Sequence, residues 1–406
     1  MGGRFIESDR DQMYLMPPSL REWLPEDDLA WFMLDAVEQM DLSAFYEGMS
    51  EDGAGRPGYE PRLMVTLLLY SYCLGERSSR RIERLCRRDV GYRVIAANLV
   101  PDHTKVCRFR KEHRAALEGL FVEALRLCRE AGLVKVGFVA LDGTKVKGNA
   151  SLSANRTEES IREEVRRMLA EAEAVDAEEA ATGKRKRGRN PKEPDEIAKK
   201  QAKANLTDPE SRIMKTRSGF VQGYNAQAVV TEAQVILAAE VTQEENDVRQ
   251  LHPMLARAAA NLAAAGEERL MEKAAADAGY FSAKNLSDDP PEGPELFIAT
   301  TKDWKRRKAM RDAPPPRGRI PRRLSLRERM ERELLTLRGR AIYRKRSRTV
   351  EPVFGQIKDA RRADRFLLRR ITGASLEWKL LCLTHNLLKL FGSGKARWSA
   401  PAAQAA

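Results

Sequence analysis

Three acidic residues that lie far apart in the sequence have the type and local setting needed to bind metal ions. Asp142 follows the β-branched run 134–141, and Asp277 follows a second strand-like run, 270–276. Glu351 begins the segment EPVFGQIK, whose apolar residues have helical spacing. Aspartates at strand ends are also common as turn formers and helix caps. The third acid is what raises the two aspartates above that ordinary role.

Three carboxylates gathered at one place would repel one another unless a cation neutralised them. Mg²⁺ is the natural candidate, because it prefers oxygen ligands and keeps positions open for phosphate oxygens. Two such ions about 3.5–4 Å apart activate a nucleophile and stabilise the leaving oxygen at phosphorus. The acids therefore predict a site for two Mg²⁺ ions, with Mn²⁺ as a substitute, that breaks or joins phosphodiester bonds.

No other catalytic pattern competes with this interpretation. The four histidines have no ligand spacing to one another, and the sequence contains neither a P-loop nor a G-x-G-x-x-G motif. The five cysteines include no C-x-x-C pair, which indicates reduced thiols in the protein interior. The longest apolar stretch, 64–74, is too short to span a bilayer, so we expect a cytoplasmic, nucleoid-associated protein with no membrane partner.

The charge of the chain is large, positive and unevenly placed. The 406 residues carry a net charge of +13, which suggests a nucleic-acid partner or a merely basic surface. Residues 301–350 contain 19 Lys or Arg against 5 Asp or Glu, a net charge of +14. That window ends immediately before Glu351 and predicts a phosphate-binding surface beside the third acid.

Two kinds of periodicity divide the chain. Residues 1–132 have helical spacing, and Asp102 is placed to cap a basic helix. That helix either enters a DNA groove or presents an ordinary solvated face. Its candidate DNA contacts are Lys105, Arg108 and Arg110. After residue 133, short strands alternate with helices, which predicts an α/β sheet flanked by helices, with a helical and basic insertion at 151–215.

Five segments, in this order along the chain, closely resemble the DDE transposases of bacterial insertion sequences. The similarity runs from about residue 40 to 390, and the branch it indicates carries a Tyr-Arg-Glu-Lys signature. The segments are ALDGTKVKGNAS (140–151), NLTDPESRIMK (205–215), GYNAQAVV (223–230), ADAGYFS (276–282) and YRKRSRTVEPVFGQIK (343–358).

The resemblance implies a ribonuclease H-like catalytic core behind an all-α N-terminal domain. The expected boundaries are 1–132 for the helical DNA-binding domain, 133–392 for the catalytic domain and 393–406 for a disordered tail. Asp142, Asp277 and Glu351 take the places of the three catalytic, metal-binding acids. Asp142 would stand at the end of the first strand and Asp277 after the fourth.

The resemblance also assigns phosphate-binding roles around Glu351. Tyr343 and Lys358 fall on the signature tyrosine and lysine, and Lys358 is seven residues from Glu351, a spacing that places both on one helix face. The signature arginine is expected four residues before Glu351, where this sequence has Ser347. Arg346 and Arg348 are therefore alternatives, and the distance from Tyr343 favours Arg346.

Further candidate DNA contacts each have a structural alternative. Lys145 and Lys147 reach DNA beside the metals or form a solvated edge, and Trp304 stacks on an unpaired base or packs in the interior. A group of arginines is expected to contact phosphates. These arginines are Arg322, Arg323, Arg338 and Arg340.

The predicted function is DNA transposition. The enzyme would bind the terminal inverted repeats of its insertion sequence, cut phosphodiester bonds and join the 3′-hydroxyl ends to target DNA, as a homodimer on paired ends. Two alternatives are a catalytically silent, domesticated DNA-binding protein and a metal-dependent, structure-specific nuclease with the same core.

Overall fold

A computed structural model describes residues 19–47, 58–156, 166, 204–216, 219–287, 293–321 and 323–396. The chain divides into two units, Met1–Gly132 with Leu383–Ala406, and Leu133–Cys382. Residues 383–392, which the sequence assigned to the catalytic domain, therefore belong to the first unit. Their side chains explain this grouping, because Leu387 and Leu390 are buried and Phe391 contacts Phe32 of the first helix.

The described part of residues 19–132 is helical. Its α-helices are α1 (Leu29–Glu38), α2 (Pro61–Cys73), α3 (Ser79–Arg88), α4 (Val90–Ile95), α5 (His103–Glu112) and α6 (Arg114–Glu130). The predicted cap of α5 is confirmed, since the Asp102 carboxylate accepts a hydrogen bond from the Thr104 amide at 2.7 Å. Helix α2 is buried along most of its length, as its apolar sequence predicts.

The second unit contains a mixed sheet and several helices. Its strands are β1 (Val139–Lys147), β2 (Asn155–Arg156), β3 (Ala204–Asn205), β4 (Arg212–Thr216), β5 (Gly219–Thr231), β6 (Ile236–Thr242), β7 (Lys273–Ala276) and β8 (Glu295–Ile298). Its helices are α7 (Leu251–Ala264), α8 (Ala283–Ser287), α9 (Trp304–Asp312), α10 (Leu326–Leu335), α11 (Leu337–Gly355) and a π-helical turn (Gln356–Ala360), followed by α12 (Arg370–Ser393), which the unit boundary divides.

The sheet confirms the predicted α/β class. Strand β1 pairs antiparallel with β5 and parallel with β7, and β7 pairs parallel with β8. Strands β4 and β6 both pair antiparallel with the long strand β5. Helix α11 packs on β1, β5, β7 and β8, whereas α7 packs on β5 and β6. The third acid therefore approaches the sheet on a helix that contacts both strands leading to the aspartates.

Two predictions about the strands were wrong. The first strand does not end at Asp142, because β1 continues to Lys147 and pairs with β5 along its whole length. Residues 212–216, predicted to lie in the insertion, instead form β4 in the sheet. The predicted helical part of the insertion lies outside the described residues, apart from Arg166.

The helix that carries Glu351 extends well beyond the segment EPVFGQIK towards the N-terminus. Helix α11 begins at Leu337 and includes Pro352. A proline inside a helix leaves the carbonyl four residues earlier without its amide donor. Here that carbonyl belongs to Arg348, and it accepts a hydrogen bond from Nε2 of Gln234 at 3.3 Å. The side chain of Gln234 replaces the missing amide, which the local sequence could not reveal.

A buried acid near β4 gives a stability prediction. The Tyr224 hydroxyl contacts both carboxylate oxygens of Asp208 at 2.9 Å, and Asp208 is 0 % exposed. We expect Tyr224→Phe to lower the free energy of unfolding by about 1–3 kcal/mol, because it removes a hydrogen bond to a buried charge. Urea unfolding measures the change. Tyr46→Phe, which removes a partly exposed hydroxyl, is the control, and equal effects of the two variants would contradict the prediction.

Candidate active site

Asp142 and Asp277 lie at equivalent positions on two neighbouring parallel strands. Leu141 of β1 and Ala276 of β7 are paired in the parallel register, and each aspartate directly follows one of these two residues. The Asp142 carboxylate accepts a hydrogen bond from the Gly143 amide at 2.9 Å. Asp277 begins a turn after β7, and its carboxylate accepts from the Gly279 amide at 2.7 Å. The sheet thus brings together two acids separated by more than a hundred residues in sequence.

The turn after Asp277 is anchored to strand β5. Tyr280 is buried, and its hydroxyl donates a hydrogen bond to Oε1 of Gln227. The Tyr280 amide donates to the Asp277 carbonyl at 3.2 Å. These contacts fix the backbone that presents Asp277, so the position of this acid depends on β5 as well as on β7.

Arg346 connects the first acid with the third. Its Nη1 donates to Oδ2 of Asp142 at 2.8 Å, and its Nη2 lies 3.6 Å from Oε1 of Glu351. The side chains of Asp142 and Arg346 are 18 % and 13 % exposed, whereas that of Glu351 is 60 % exposed. A guanidinium therefore occupies the space between two carboxylates that come from different elements.

The electrostatics of Asp142 reflect this arrangement. Burial, together with the nearby charge of Asp277, raises the pKa of its carboxyl to about 6, although Arg346 and the Gly143 amide act in the opposite direction. Asp142 is therefore mainly an anion at neutral pH. Burial likewise raises the pKa of Tyr343, which stands one helical turn before Arg346.

Lys358 contacts β1 rather than sharing a regular helix face with Glu351. Its Nζ donates to Oγ1 of Thr144 at 3.0 Å and to the carbonyl of Lys145 at 3.1 Å. The residue lies in the π-helical turn, so the seven-residue spacing does not correspond to two turns of α-helix. Burial lowers the pKa of this ammonium group.

The other predicted contacts on β1 are engaged within the protein. Nζ of Lys145 donates to the carbonyl of Glu245 at 2.7 Å and lies 3.5 Å from Oδ1 of Asp247. Nζ of Lys147, on the same side of the strand, is 3.3 Å from Oδ2 of Asp364. Arg348, the alternative to Arg346 for the signature position, has an exposed side chain.

The basic helix α5 loses one of its predicted contacts. Lys105 and Arg108 are exposed. Arg110 is buried and donates to the carbonyl of Arg77 at 2.9 Å and to the hydroxyl of Tyr72 at 3.4 Å. Arg110 is thus a packing residue of the helical unit, because the position falls on the buried side of its helix.

A basic cavity next to Glu351 was missed by sequence analysis. It has a volume of about 540 Å³ and lies between α9, α10 and α11. Arginines from α9 and α11 line it. These are Arg307, Arg311, Arg340, Arg344 and Arg346. Among the described residues, no carboxylate is paired with Arg307, Arg311 or Arg344. In the sequence, only the helical periodicity of residues 301–350 could have indicated that these arginines share a common face.

The arginines proposed as a phosphate-binding group have different surroundings. Arg338 is paired with Glu295 and Glu333, and Arg340 donates to carbonyls at the end of α9. Arg323 is exposed. Arg322 lies outside the described residues, and Trp304 is described only as the first residue of α9.

The donor set of the three acids fits a divalent cation. Carboxylate oxygens are the ligands that Mg²⁺ and Mn²⁺ prefer, and the single positive charge of Arg346, which lies near two of the acids, leaves negative charge for a cation to neutralise. Within the described residues, Glu83, Asp102 and His103 are the one set of three ligands whose atoms lie within 4.8 Å of one another. Metal binding by the three catalytic candidates would therefore require them to move closer together.

Comparisons with known families bear on the parts of the chain that carry these residues. A model described as a transposase domain (DUF772) matches residues 18–112, and a model described as a transposase DDE domain matches residues 315–391. Both matches are to transposase domains, and they support an insertion-sequence DDE transposase.

The DDE match supports a transposase enzyme, which is consistent with action on DNA, and it includes Tyr343, Arg346, Glu351 and Lys358. It does not extend to the two aspartates, and the Tyr-Arg-Glu-Lys branch stays a prediction. No curated protein and no solved structure matches the chain. Of the helices that the structure describes, none has the length and apolarity needed to cross a membrane.

Proposed function

We propose that this transposase binds the terminal inverted repeats of an insertion sequence, cleaves phosphodiester bonds there and joins the 3′-hydroxyl ends to target DNA. One observation carries the proposal. Asp142 and Asp277 follow paired residues of adjacent parallel strands, and Arg346 links Asp142 to Glu351 on the helix packed against those strands. This arrangement supports a single catalytic centre built from all three acids.

Asp142, Asp277 and Glu351 would hold two divalent cations, Mg²⁺ or Mn²⁺. When bound, such ions supply an activated nucleophile and charge stabilisation at phosphorus. The two aspartates are fixed by backbone hydrogen bonds, whereas Glu351 is exposed on α11. The site is therefore partly preorganised. The two aspartates are held in place, and Glu351 would complete the set of three ligands.

The remaining residues of the centre bind and orient DNA. Arg346 offers a fork of donors that suits a phosphate group, and it is the cation closest to the acids. Tyr343 and the cavity arginines line the cavity that Glu351 also borders, and Lys358 contacts β1. Phosphoryl transfer depends mainly on such positioning and charge stabilisation.

We also propose the wider organisation implied by the resemblance. The mixed sheet, with Asp142 within β1 and Asp277 directly after the parallel strand β7, supports a ribonuclease H-like core. The exposed side of α5, with Lys105 and Arg108, would contact DNA from the helical domain. A homodimer that pairs two transposon ends is the expected active form.

A donor DNA assay tests this function. The full chain, Mg²⁺ and a DNA fragment that carries the inverted repeats flanking its gene should yield cut ends and products joined to a target plasmid. DNA binding without cutting would favour the domesticated DNA-binding protein. Cutting of branched DNA with no joined products would favour the structure-specific nuclease.

The cavity arginines lead to a prediction about salt dependence. Each phosphate contact contributes about 0.9 to the slope of log affinity against log salt concentration. We expect Arg307→Gln combined with Arg311→Gln to reduce the slope for end DNA by about 2 units. Filter binding at several salt concentrations measures it. Arg338→Gln is the control, since its guanidinium is already paired with Glu295 and Glu333. A wild-type slope in the double variant would exclude phosphate contacts by the two arginines.

A further inference from the structure

A fourth acid, Asp247, lies between the two segments that carry Asp142 and Asp277. It follows strand β6, and its side chain is largely buried. Oδ1 of Asp247 accepts hydrogen bonds from Nδ2 of Asn225 and Nε2 of Gln227, both at 2.7 Å. Lys145 approaches the same oxygen at 3.5 Å. Donors from β1 and β5 therefore fix the orientation of this carboxylate through one of its two oxygens.

Two glycines make room for Asp247. A Cβ atom on Gly143, the residue after Asp142, would lie 2.7 Å from Oδ1 of Asp247 and 2.2 Å from Nε2 of Gln227. Real Cβ atoms do not approach polar atoms so closely, so this position excludes other residues unless the network moves. The strand that carries the first catalytic acid is thus shaped around the fourth.

The position of the second glycine, Gly279, shows what lies beside Oδ2, the other carboxylate oxygen of Asp247. A Cβ atom on Gly279 would lie 3.1 Å from Oδ2 of Asp247 and 2.8 Å from Oδ1 of Asp277. Both oxygens therefore border the same small space beside the turn that follows β7. Among the described residues, Oδ2 of Asp247 has no hydrogen-bond donor comparable to the three around Oδ1.

Charge supports a cation at this place. Asp247 and Asp277 border the Cβ position of Gly279, and Asp142 accepts from the amide of Gly143, whose Cβ position faces Asp247. Three carboxylates thus lie around these two glycines, with Lys145 and Arg346 as nearby cations. Together with Glu351 the acids exceed these two cations, and a divalent ion would restore the balance.

We propose that Asp247 is a further metal ligand of the active site and shares a divalent cation with Asp277 through Oδ2. The proposal rests on the proposed metal-dependent function and adds a fourth carboxylate to its three acids. The amides of Asn225 and Gln227 hold Oδ1, as outer groups commonly orient a ligating carboxylate.

Mn²⁺ binding by the full chain without DNA tests the proposal. Calorimetry or the electron paramagnetic resonance signal of free Mn²⁺ gives the affinity. We expect Asp247→Asn to weaken binding by about tenfold or more, because it removes a charged ligand. Asp364→Asn removes an exposed acid and should leave the affinity unchanged. Asn225→Ala removes one donor to Oδ1 but keeps the carboxylate, and should weaken binding by less than Asp247→Asn does, because Gln227 still holds that oxygen.

A cysteine thiolate at position 247 would report directly whether a metal ion binds there. Asp247→Cys should give the ultraviolet charge-transfer band of a cadmium–thiolate bond when Cd²⁺ is added, above the signal of the wild-type cysteines. Asp364→Cys is the matched control and should give no additional band. Thermal melting of every variant confirms that the chain is folded before the metal measurements are compared.

The outcomes separate this proposal from the function on which it rests. Wild-type affinity for Mn²⁺ in Asp247→Asn would overturn the proposal. Equal losses of affinity in Asp247→Asn and Asn225→Ala, without a cadmium band in Asp247→Cys, would also overturn it, because they would indicate a purely structural role. If Asp142→Asn and Asp277→Asn also bind Mn²⁺ like the wild type, the metal site itself fails. If those two variants lose affinity and Asp247→Asn does not, only the fourth ligand is excluded.

Discussion

Asp142→Asn should abolish strand cleavage while leaving the affinity for end DNA nearly unchanged. The substitution keeps the shape of a buried side chain but removes the charge that a divalent cation requires. Loss of several kcal/mol of transition-state stabilisation corresponds to a rate reduction of about 10³-fold or more. DNA binding should survive, because the basic residues that contact phosphates are unchanged and Arg346 is released from its pairing with Asp142.

Cleavage of a labelled end fragment and gel-shift affinity measure the two effects in one preparation. Asp364→Asn is a matched control on the same unit, since Asp364 is exposed and paired with Lys147. Cutting by Asp142→Asn in Mg²⁺ at more than a few per cent of the wild-type rate would remove this residue from the catalytic centre.

Arg346→Gln should lower cleavage by about 10²-fold, as expected when a preorganised charged donor is removed from a reacting centre. The same variant should bind Mn²⁺ more tightly than the wild type in the absence of DNA. In the free chain the guanidinium lies 2.8 Å from Asp142 and competes with a metal ion for that carboxylate. Removing the competitor therefore strengthens metal binding while it weakens catalysis, a combination that general unfolding would not produce.

Arg348→Gln provides the comparison for this experiment. It removes the same charge two residues further along α11, at an exposed position. Its effect on both measurements should be below about threefold, in the range of exposed charges. A larger loss of cleavage in Arg348→Gln than in Arg346→Gln would assign the signature role to Arg348. It would contradict the assignment of that role to Arg346, which rests on the contact of Arg346 with Asp142.

Periodicity predicted the elements of the sheet better than their ends. The alternating segment after Leu141 contains Gly143, which usually indicates a turn, but β1 continues because the missing Cβ accommodates Gln227 and Asp247. The extent of α11 was hidden for a related reason. Pro352 normally ends a helix, and it is tolerated here because Gln234, distant in sequence, satisfies the freed carbonyl of Arg348. Both features depend on contacts between residues far apart in the chain.

The three candidate acids could be selected from the sequence, whereas their surroundings could not. Asp142, Asp277 and Glu351 lie in segments that resemble the catalytic segments of DDE transposases, although β1 continues past Asp142 and α11 begins before Glu351. Asp247 follows Glu244 and Glu245 in an acidic segment and has no such signal. Its role becomes visible only through the amides of Asn225 and Gln227, which the pairing of β5 with β1 and β6 brings to it.

The structure distinguishes the arginines of the basic window at 301–350 that are engaged within the protein from those that line the cavity. Its arginines do not act as one group, because Arg338 neutralises glutamates and Arg340 binds carbonyls at the end of α9. Arg307 and Arg311 face a cavity that reaches Glu351. Net charge suggested a nucleic-acid partner, and helix packing determines which arginines of this window line the cavity.

The most direct test of the central claim is a structure of the full chain bound to end DNA and Mn²⁺. The account predicts Mn²⁺ coordinated by Asp142, Asp277 and Glu351, with the guanidinium of Arg346 moved from Asp142 to a DNA phosphate. Mn²⁺ bound away from these acids, or Arg346 still paired with Asp142 in a complex that cleaves DNA, would contradict it.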